Sequence, residues 1–134
     1  MGNLNFLNND KLKNAFRNAK TYLDLFNLCQ LFKNSYLNGS LERDGWCNNS
    51  YSISKMIVNT YARVLSYRVE IENNDISVYA AHPGWVRTDS TGQTGPLNIK
   101  QGAENEVFLL EQQEGINRLY QGKYFDRFKV TSFG

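Results

Sequence analysis

Tyr51 and Lys55 stand four residues apart in the run YSISK. On a helix, that spacing puts both side chains on one face with Cβ atoms about 5–6 Å apart. An ammonium beside a phenol favours the phenolate and lowers the phenol pKa from its ordinary value of about 10. Bringing a tyrosine near 7 takes roughly three units, or about 4 kcal/mol, and a cationic cofactor ring would supply part of that. Such a pair can pass a proton to or from a carbonyl oxygen. The same two residues also suit an ordinary helix surface pair, and a chain with eight tyrosines meets this spacing readily.

The other reactive residue types point to less. His82 is the only histidine, so neither a Ser/His/Asp triad nor a histidine metal site gains support, and a structural role is expected for it. Cys29 and Cys47 have no Cys or His partners at ligand spacing, which reads as two reduced thiols and no metal site. Asn38 and Asn48 match the glycosylation pattern, but seventeen asparagines among fifteen Ser plus Thr give about two such matches by chance. Arg87 and Lys100 could meet a cofactor phosphate, although solvated charges explain them as well.

Composition narrows the class further. The chain has 134 residues, enough for one domain, with 41% hydrophobic, 21% charged and 13% aromatic residues. A net charge of +2 without a basic cluster argues against nucleic acid as a partner. The longest apolar runs, such as VFLL at 107–110, are far shorter than the ~20 residues a membrane span needs. Residues 1–10 are polar, which does not suit a secretory leader, and Phe6 breaks the myristoylation pattern that Met1-Gly2 begins. The closing Ser132-Phe133-Gly134 matches neither a peroxisomal nor a prenylation signal. A cytoplasmic chain is the expectation.

Elements must position Tyr51 and Lys55. Asp10 reads as an N-cap, followed by apolar residues at Leu12, Phe16, Ala19, Leu23 and Phe26 in helical spacing. Thr21 with Asp24 resembles a capping box, so two helices broken near residue 20 fit equally. The second would bury Leu25, Leu28, Cys29 and Phe32 and stop at Asn38-Gly39. A polar loop over 40–49 leads to a helix from Tyr51 to about Arg68, with Ile57, Val58, Tyr61, Ala62 and Leu65 as its apolar residues and a turn over 72–75 after it. Ile76–Ala81 reads as a strand suited to a parallel sheet covered on both faces, ended by Pro83-Gly84. A Thr- and Gly-rich loop over 88–96, a helix from Ile99 to about Gln112 and a strand over Gly122–Asp126 complete the pattern. Helix, strand, helix, strand predicts an α/β fold, yet two strands cannot form a stable sheet with helices on both faces. The chain reads as part of a domain.

Directly after the predicted parallel strand comes HPGWVRTD, residues 82–89. Ligands of α/β folds bind at the carboxyl ends of such strands, and a Pro-Gly turn there brings bare backbone close to a flat ring. With GWCNNSYSISK, the IKQGAE run at 99–104 and the closing GKYFDRFKVTSF, the chain resembles the short-chain dehydrogenase/reductase superfamily in its monomeric carbonyl reductase-like branch. The resemblance covers residues 40–133, and more loosely 1–39, which resemble the helical insertion this branch carries before its tyrosine. It implies that residues 1–134 are the C-terminal part of one such domain. The implied fold is α/β: the C-terminal portion of a Rossmann-like doubly wound parallel sheet, incomplete, with the dinucleotide-binding half absent. Residues 40–134 would then carry the catalytic helix, the cofactor loop and the last strands.

The implied chemistry is NADP(H)-dependent reduction of a small-molecule carbonyl, a ketone, aldehyde or quinone, to an alcohol. The tyrosine matching Tyr51 gives its proton to the substrate oxygen. The lysine matching Lys55 holds the nicotinamide ribose and lowers the tyrosine pKa. Positions matching Pro83, Gly84, Val86 and Thr88 cradle the nicotinamide carboxamide, Val86 through its backbone. Trp85 sits beside the substrate pocket or serves as a core residue. The insertion would cover the substrate mouth and block dimerisation, which implies a monomer at full length.

The departures are specific. No glycines fit the GxxxGxG spacing that seats a pyrophosphate on a helix N-terminus, and the Asn-Ala-Gly turn is missing. The catalytic serine would, by the resemblance, stand just before Met1. Cys47 replaces a proline common after the family's tryptophan. Only part of an NADP(H) site is expected, active within a longer chain. The alternative is a non-catalytic truncated fragment that binds a protein through an exposed sheet edge. A third reading, pairing with a separately encoded first half, has no sequence support.

Overall fold

The computed structural model describes residues 2–72, 75–111 and 119–132. A short 3-10 turn at Leu4–Phe6 precedes helices α1 (Asp10–Asn18), α2 (Tyr22–Leu37) and α3 (Ser50–Ile71). Strand β1 (Ala80–His82), a 3-10 turn at Asp89–Thr91, helix α4 (Ile99–Leu110) and strands β2 (Tyr124–Asp126) and β3 (Lys129–Thr131) follow. No helix among the described residues is long and apolar enough to cross a membrane.

The first two helices are separate, as the capping box implied. Thr21 Oγ1 accepts from the Asp24 N–H at 3.1 Å, and the Asp24 carboxylate accepts in return from the Thr21 N–H at 2.9 Å. The first helix is capped by Asn9, whose side chain accepts from the Lys11 and Leu12 N–H groups, rather than by Asp10. The break resets the phase of the buried face. Leu12, Phe16 and Ala19 are buried, but Leu23 and Phe26 are exposed. Leu25 and Leu28 go inside as expected, Phe32 is half-buried, and Cys29 is exposed. Asn38 ends α2, and Gly39 follows with φ +62°.

α3 carries no Gly or Pro and starts from Asn49, whose side chain accepts from the Ser52 N–H at 3.0 Å. Its buried line is Ile53, Met56, Thr60 and Val64, in spacings of three and four. The sequence reading had this helix's inward face wrong by about one position. Val58 and Tyr61 are exposed, and Ile57, Ala62 and Leu65 are only half-buried. Small polar residues sit inside instead, and the Thr60 hydroxyl donates to the Met56 carbonyl at 2.8 Å.

The three helices form the core. Phe16 meets Trp46 edge-on at 6.1 Å, and Phe32 meets the same indole at 5.3 Å. Trp46 belongs to the polar loop after α2, which a partly buried network fixes. Its Nε1 donates to Ser35 Oγ at 3.2 Å, and the Ser35 and Ser40 hydroxyls both donate to Asp44 Oδ2, at 2.8 and 2.6 Å. The Ser40 and then the Ser35 hydrogen bonds hold the Asp44 carboxyl below the usual aspartate range. A depressed folded value contributes stability that is present above the unfolded value of about 3.9. It is lost as pH falls through the folded one. The thermal midpoint of the wild-type chain should therefore fall more steeply below about pH 4 than that of Asp44→Asn, whose amide oxygen still accepts from both serines. Parallel midpoint-against-pH curves would contradict this.

The sheet has the order β1-β2-β3. β1 and β2 are parallel, pairing Ala80 with Tyr124 and His82 with Asp126, so the parallel strand expected here exists. It is shorter than the predicted Ile76–Ala81, and Ile76 is exposed. β3 was not expected; it runs antiparallel to β2 after a turn in which Arg127 and Phe128 have φ +49° and +65°. Both α3 and α4 pack on β1. The predicted helix end near Gln112 and part of the turn over 72–75 lie outside the described residues.

Candidate active site

The amino-terminal half of α3 faces the carboxyl end of β1 across a cleft of about 650 Å³. Tyr51, Lys55, Val58 and Asn59 line it from the helix, at the i, i+4, i+7 and i+8 positions of one face. Pro83, Gly84 and Trp85 line it from the loop after β1. Sequence spacing placed Tyr51 and Lys55 together, and the structure does the same: Lys55 Nζ lies 5.4 Å from the Tyr51 ring centroid. Tyr51 is 54% exposed, so the cleft leaves its phenol in solvent on one side.

The loop opposite is held by short-range ties. Gly84 has φ +81°, a value type II turns need at their third residue and that favours glycine. Its Cα also lies so near Leu97 that a Cβ there would strike that side chain. Beyond the turn, the Arg87 N–H donates to the Leu97 carbonyl at 2.8 Å and the Leu97 N–H to the Trp85 carbonyl at 3.2 Å. Gly95 lets this backbone double back, because a Cβ at 95 would overlap the Val86–Arg87 peptide. Thr91 Oγ1 donates to the Val86 carbonyl at 2.7 Å and accepts from the Thr88 N–H at 3.0 Å.

Of the loop residues the resemblance pointed to, Pro83, Gly84 and Trp85 form the cleft wall. Trp85 is 53% exposed, with its Nε1 donating to Thr94 Oγ1 at 3.3 Å, so it is a wall residue rather than a core one. The Val86 side chain packs on Gly102 of α4, and Thr88 borders the 3-10 turn. Neither residue lines the cleft, and the Val86 carbonyl and the Thr88 N–H are both engaged by Thr91. Arg87 Nε donates to the Gly95 carbonyl at 3.2 Å, which helps close the loop.

Ala81 and His82 of β1 also line the cleft, and Tyr124, Asn59, Ser90 and Thr91, which the sequence did not point to, complete it. Asn59 was findable, since it repeats the Tyr51–Lys55 step of four. Tyr124 was not, because it reaches the cleft only through β-pairing opposite Ala80. Burial, and secondarily the Asp126 charge, pushes the Tyr124 phenol up, which makes it a weaker acid. Asn105 of α4 secures the base of the loop. It is 5% exposed, and its Nδ2 donates to the His82 and Phe125 carbonyls at 3.1 and 3.3 Å while Oδ1 accepts from the Phe128 N–H at 2.9 Å. One amide thus ties β1, β2 and the β2–β3 turn together.

The fit to a nicotinamide cofactor is partial. A Cβ-less turn and an indole on one wall, with a phenol and an ammonium on the other, suit a flat ring carrying an amide and a ribose. Among all ten glycines, none has the spacing that would seat a pyrophosphate.

No family model matches the chain. Among curated proteins, it is 32% identical over 103 residues to carbonyl reductase [NADPH] 3 of Mus musculus, matching 75% of this chain and 37% of that protein. It is 35% identical over 88 residues to the Homo sapiens protein of the same name, matching 64% of this chain and 32% of that one. With (+)-neomenthol dehydrogenase of Arabidopsis thaliana it shares 32% identity over 104 residues, 75% of this chain and 32% of that protein. The chain therefore spans about a third of the length of these relatives. Among solved structures, salutaridine reductase from Papaver somniferum superposes with a TM-score of 0.79 at 22% identity, covering 93% of this chain and 42% of that one. The fold is part of a Rossmann-like α/β sheet.

Proposed function

Because this chain belongs to the short-chain dehydrogenase/reductase superfamily, in its carbonyl reductase-like branch, we propose that it forms the proton-donating side of an NADP(H)-dependent carbonyl reductase site. The supporting observation is the cleft itself, which sets Tyr51 and Lys55 of α3 opposite the Pro83–Gly84 turn after β1. NADPH, when bound, supplies the hydride.

The chain's own residues do the rest. Tyr51 Oη donates its proton to the substrate oxygen as that oxygen gains charge, which is general acid catalysis worth typically 10²–10⁴-fold. The Lys55 ammonium favours the negative charge left on the phenol and offers hydrogen bonds to a ribose. Pro83 and Gly84 give a turn against which a ring can lie, and the family resemblance assigns Val86, through its backbone, and Thr88 to its carboxamide. Trp85 and the neutral Tyr124 flank the substrate oxygen's approach. The relatives named for NADPH support the cofactor, and a ketone, aldehyde or quinone is the substrate class. A monomer in the cytoplasm belongs to the same proposal and rests on sequence alone.

This sequence holds no glycine turn for the pyrophosphate, and Tyr51 is open to solvent. Both favour a second reading for the chain by itself, as a non-catalytic fragment. The two readings separate in one experiment. The 134-residue chain alone should bind NADPH weakly and leave its absorbance at 340 nm unchanged in the presence of a quinone. A chimera should oxidise NADPH, if this chain follows the part of Mus musculus carbonyl reductase 3 outside its match. A folded but inactive chimera would overturn the reductase proposal, and turnover by the chain alone would overturn its dependence on a second half.

A further inference from the structure

His82 ends β1 and lines the cleft. Its backbone carbonyl accepts from Asn105 Nδ2 at 3.1 Å, and its ring Nδ1 accepts from the Gly84 N–H at 2.7 Å. A neutral imidazole has one N–H and one bare nitrogen. The Gly84 amide can only donate, so the bare nitrogen is Nδ1 and the proton is on Nε2. The residue two positions before Gly84 thus closes the Pro83–Gly84 turn with its side chain. This is the arrangement that Asn and Asp make in Asx turns, with an imidazole in place of the carboxamide or carboxylate.

We propose that His82 is a positioning residue of the cleft: its neutral ring holds the Pro83–Gly84 turn in place, and a second proton on the ring releases it. A protonated Nδ1 carries an N–H and cannot accept from the Gly84 amide. Two donors then face each other at hydrogen-bond distance, and the turn must open or the ring must leave. Imidazole is the side chain that changes charge between about pH 5 and 8. The titratable and charged groups that line the cleft with His82 are Tyr51 and Lys55 from α3 and Tyr124 from β2, and Asp126 of β2 is its register partner. From α4, the neutral Asn105 reaches its carbonyl. The consequence for cofactor affinity rests on the reading of this turn as the nicotinamide wall, whereas the hydrogen bond and its loss do not.

The test is nuclear magnetic resonance on the 134-residue chain with no cofactor added. Long-range ¹H–¹⁵N spectra of the ring should show the Nε2–H tautomer at pH 8. The Gly84 amide should shift with the same midpoint as the ring on acidification. His82→Asn supplies a side-chain carbonyl that accepts the same N–H at every pH, so its Gly84 amide should stay flat across the range. His82→Ala should show the released amide position throughout. An Nδ1–H ring at pH 8, a Gly84 amide that ignores the ring titration, or Asn and Ala variants that behave alike would each overturn the proposal. None of these readings needs reductase activity, so a failed reductase assay and a failed positioning role are told apart.

Discussion

Tyr51→Phe in the chimera is expected to lower kcat for NADPH-dependent carbonyl reduction by about 10²–10⁴-fold. The substitution removes one oxygen from a side chain that is 54% exposed at the cleft, so the fold has little reason to respond. What disappears is the phenolic proton beside the Lys55 ammonium, whose Nζ lies 5.4 Å from the ring centroid. A rate loss of that size corresponds to about 3–5 kcal/mol of transition-state stabilisation. KM should change far less, because an interaction made mainly in the transition state appears in kcat. Tyr124 is the natural control. It lines the same cleft, but burial makes its phenol a weaker acid, and Tyr124→Phe is expected to act on substrate fit rather than on proton donation. If the Tyr51 and Tyr124 variants lose activity equally, the proton-donor assignment is wrong.

The second large effect is on stability. Phe16→Ala should cost about 3–5 kcal/mol, the range for truncating a fully buried aromatic side chain. Phe16 is 0% exposed and stands edge-on to Trp46 at 6.1 Å. Its carbonyl also accepts from the Arg63 guanidinium of α3, so the residue joins α1, the loop after α2 and the site helix at one point. A domain has only about 5–15 kcal/mol of net stability in total. The variant should therefore lose a large part of its urea midpoint, and the Tyr51–Lys55 face should lose its support with it. A midpoint change equivalent to less than about 1 kcal/mol would show that α1 and α2 are not the frame on which α3 rests.

Particular residues show what could be read from sequence. Both ends of α2 were legible, from Thr21 and Asp24 before it and Asn38-Gly39 after it, whereas α1 starts from Asn9 and not from Asp10. The Tyr51–Lys55 pair was legible because a step of four has one meaning on a helix. Buried faces were harder to read. Leu23 and Phe26 continue the apolar spacing of α1 in sequence, but the break at 19–21 turns them to solvent. Strand limits depend on pairing: Ile76–Tyr79 have strand-forming side chains, yet β2 offers partners only to Ala80, Ala81 and His82. β3 was invisible because its turn uses Arg127 and Phe128 at positive φ, where hairpins usually announce themselves with Asn-Gly or Asp-Gly. The site residues missed, Tyr124 and Thr91, come from the same gap, since contacts made through pairing and loop closure leave no local pattern.

The central claim is that the cleft between α3 and the Pro83–Gly84 turn is where carbonyl reduction takes place. A crystal structure of the chimera with NADP⁺ tests it most directly. The account predicts density for the nicotinamide ring against Pro83 and Gly84, with Lys55 on its ribose and Tyr51 Oη open toward the substrate side. A cofactor bound with its nicotinamide elsewhere, and the cleft beside Tyr51 left to solvent, would contradict it.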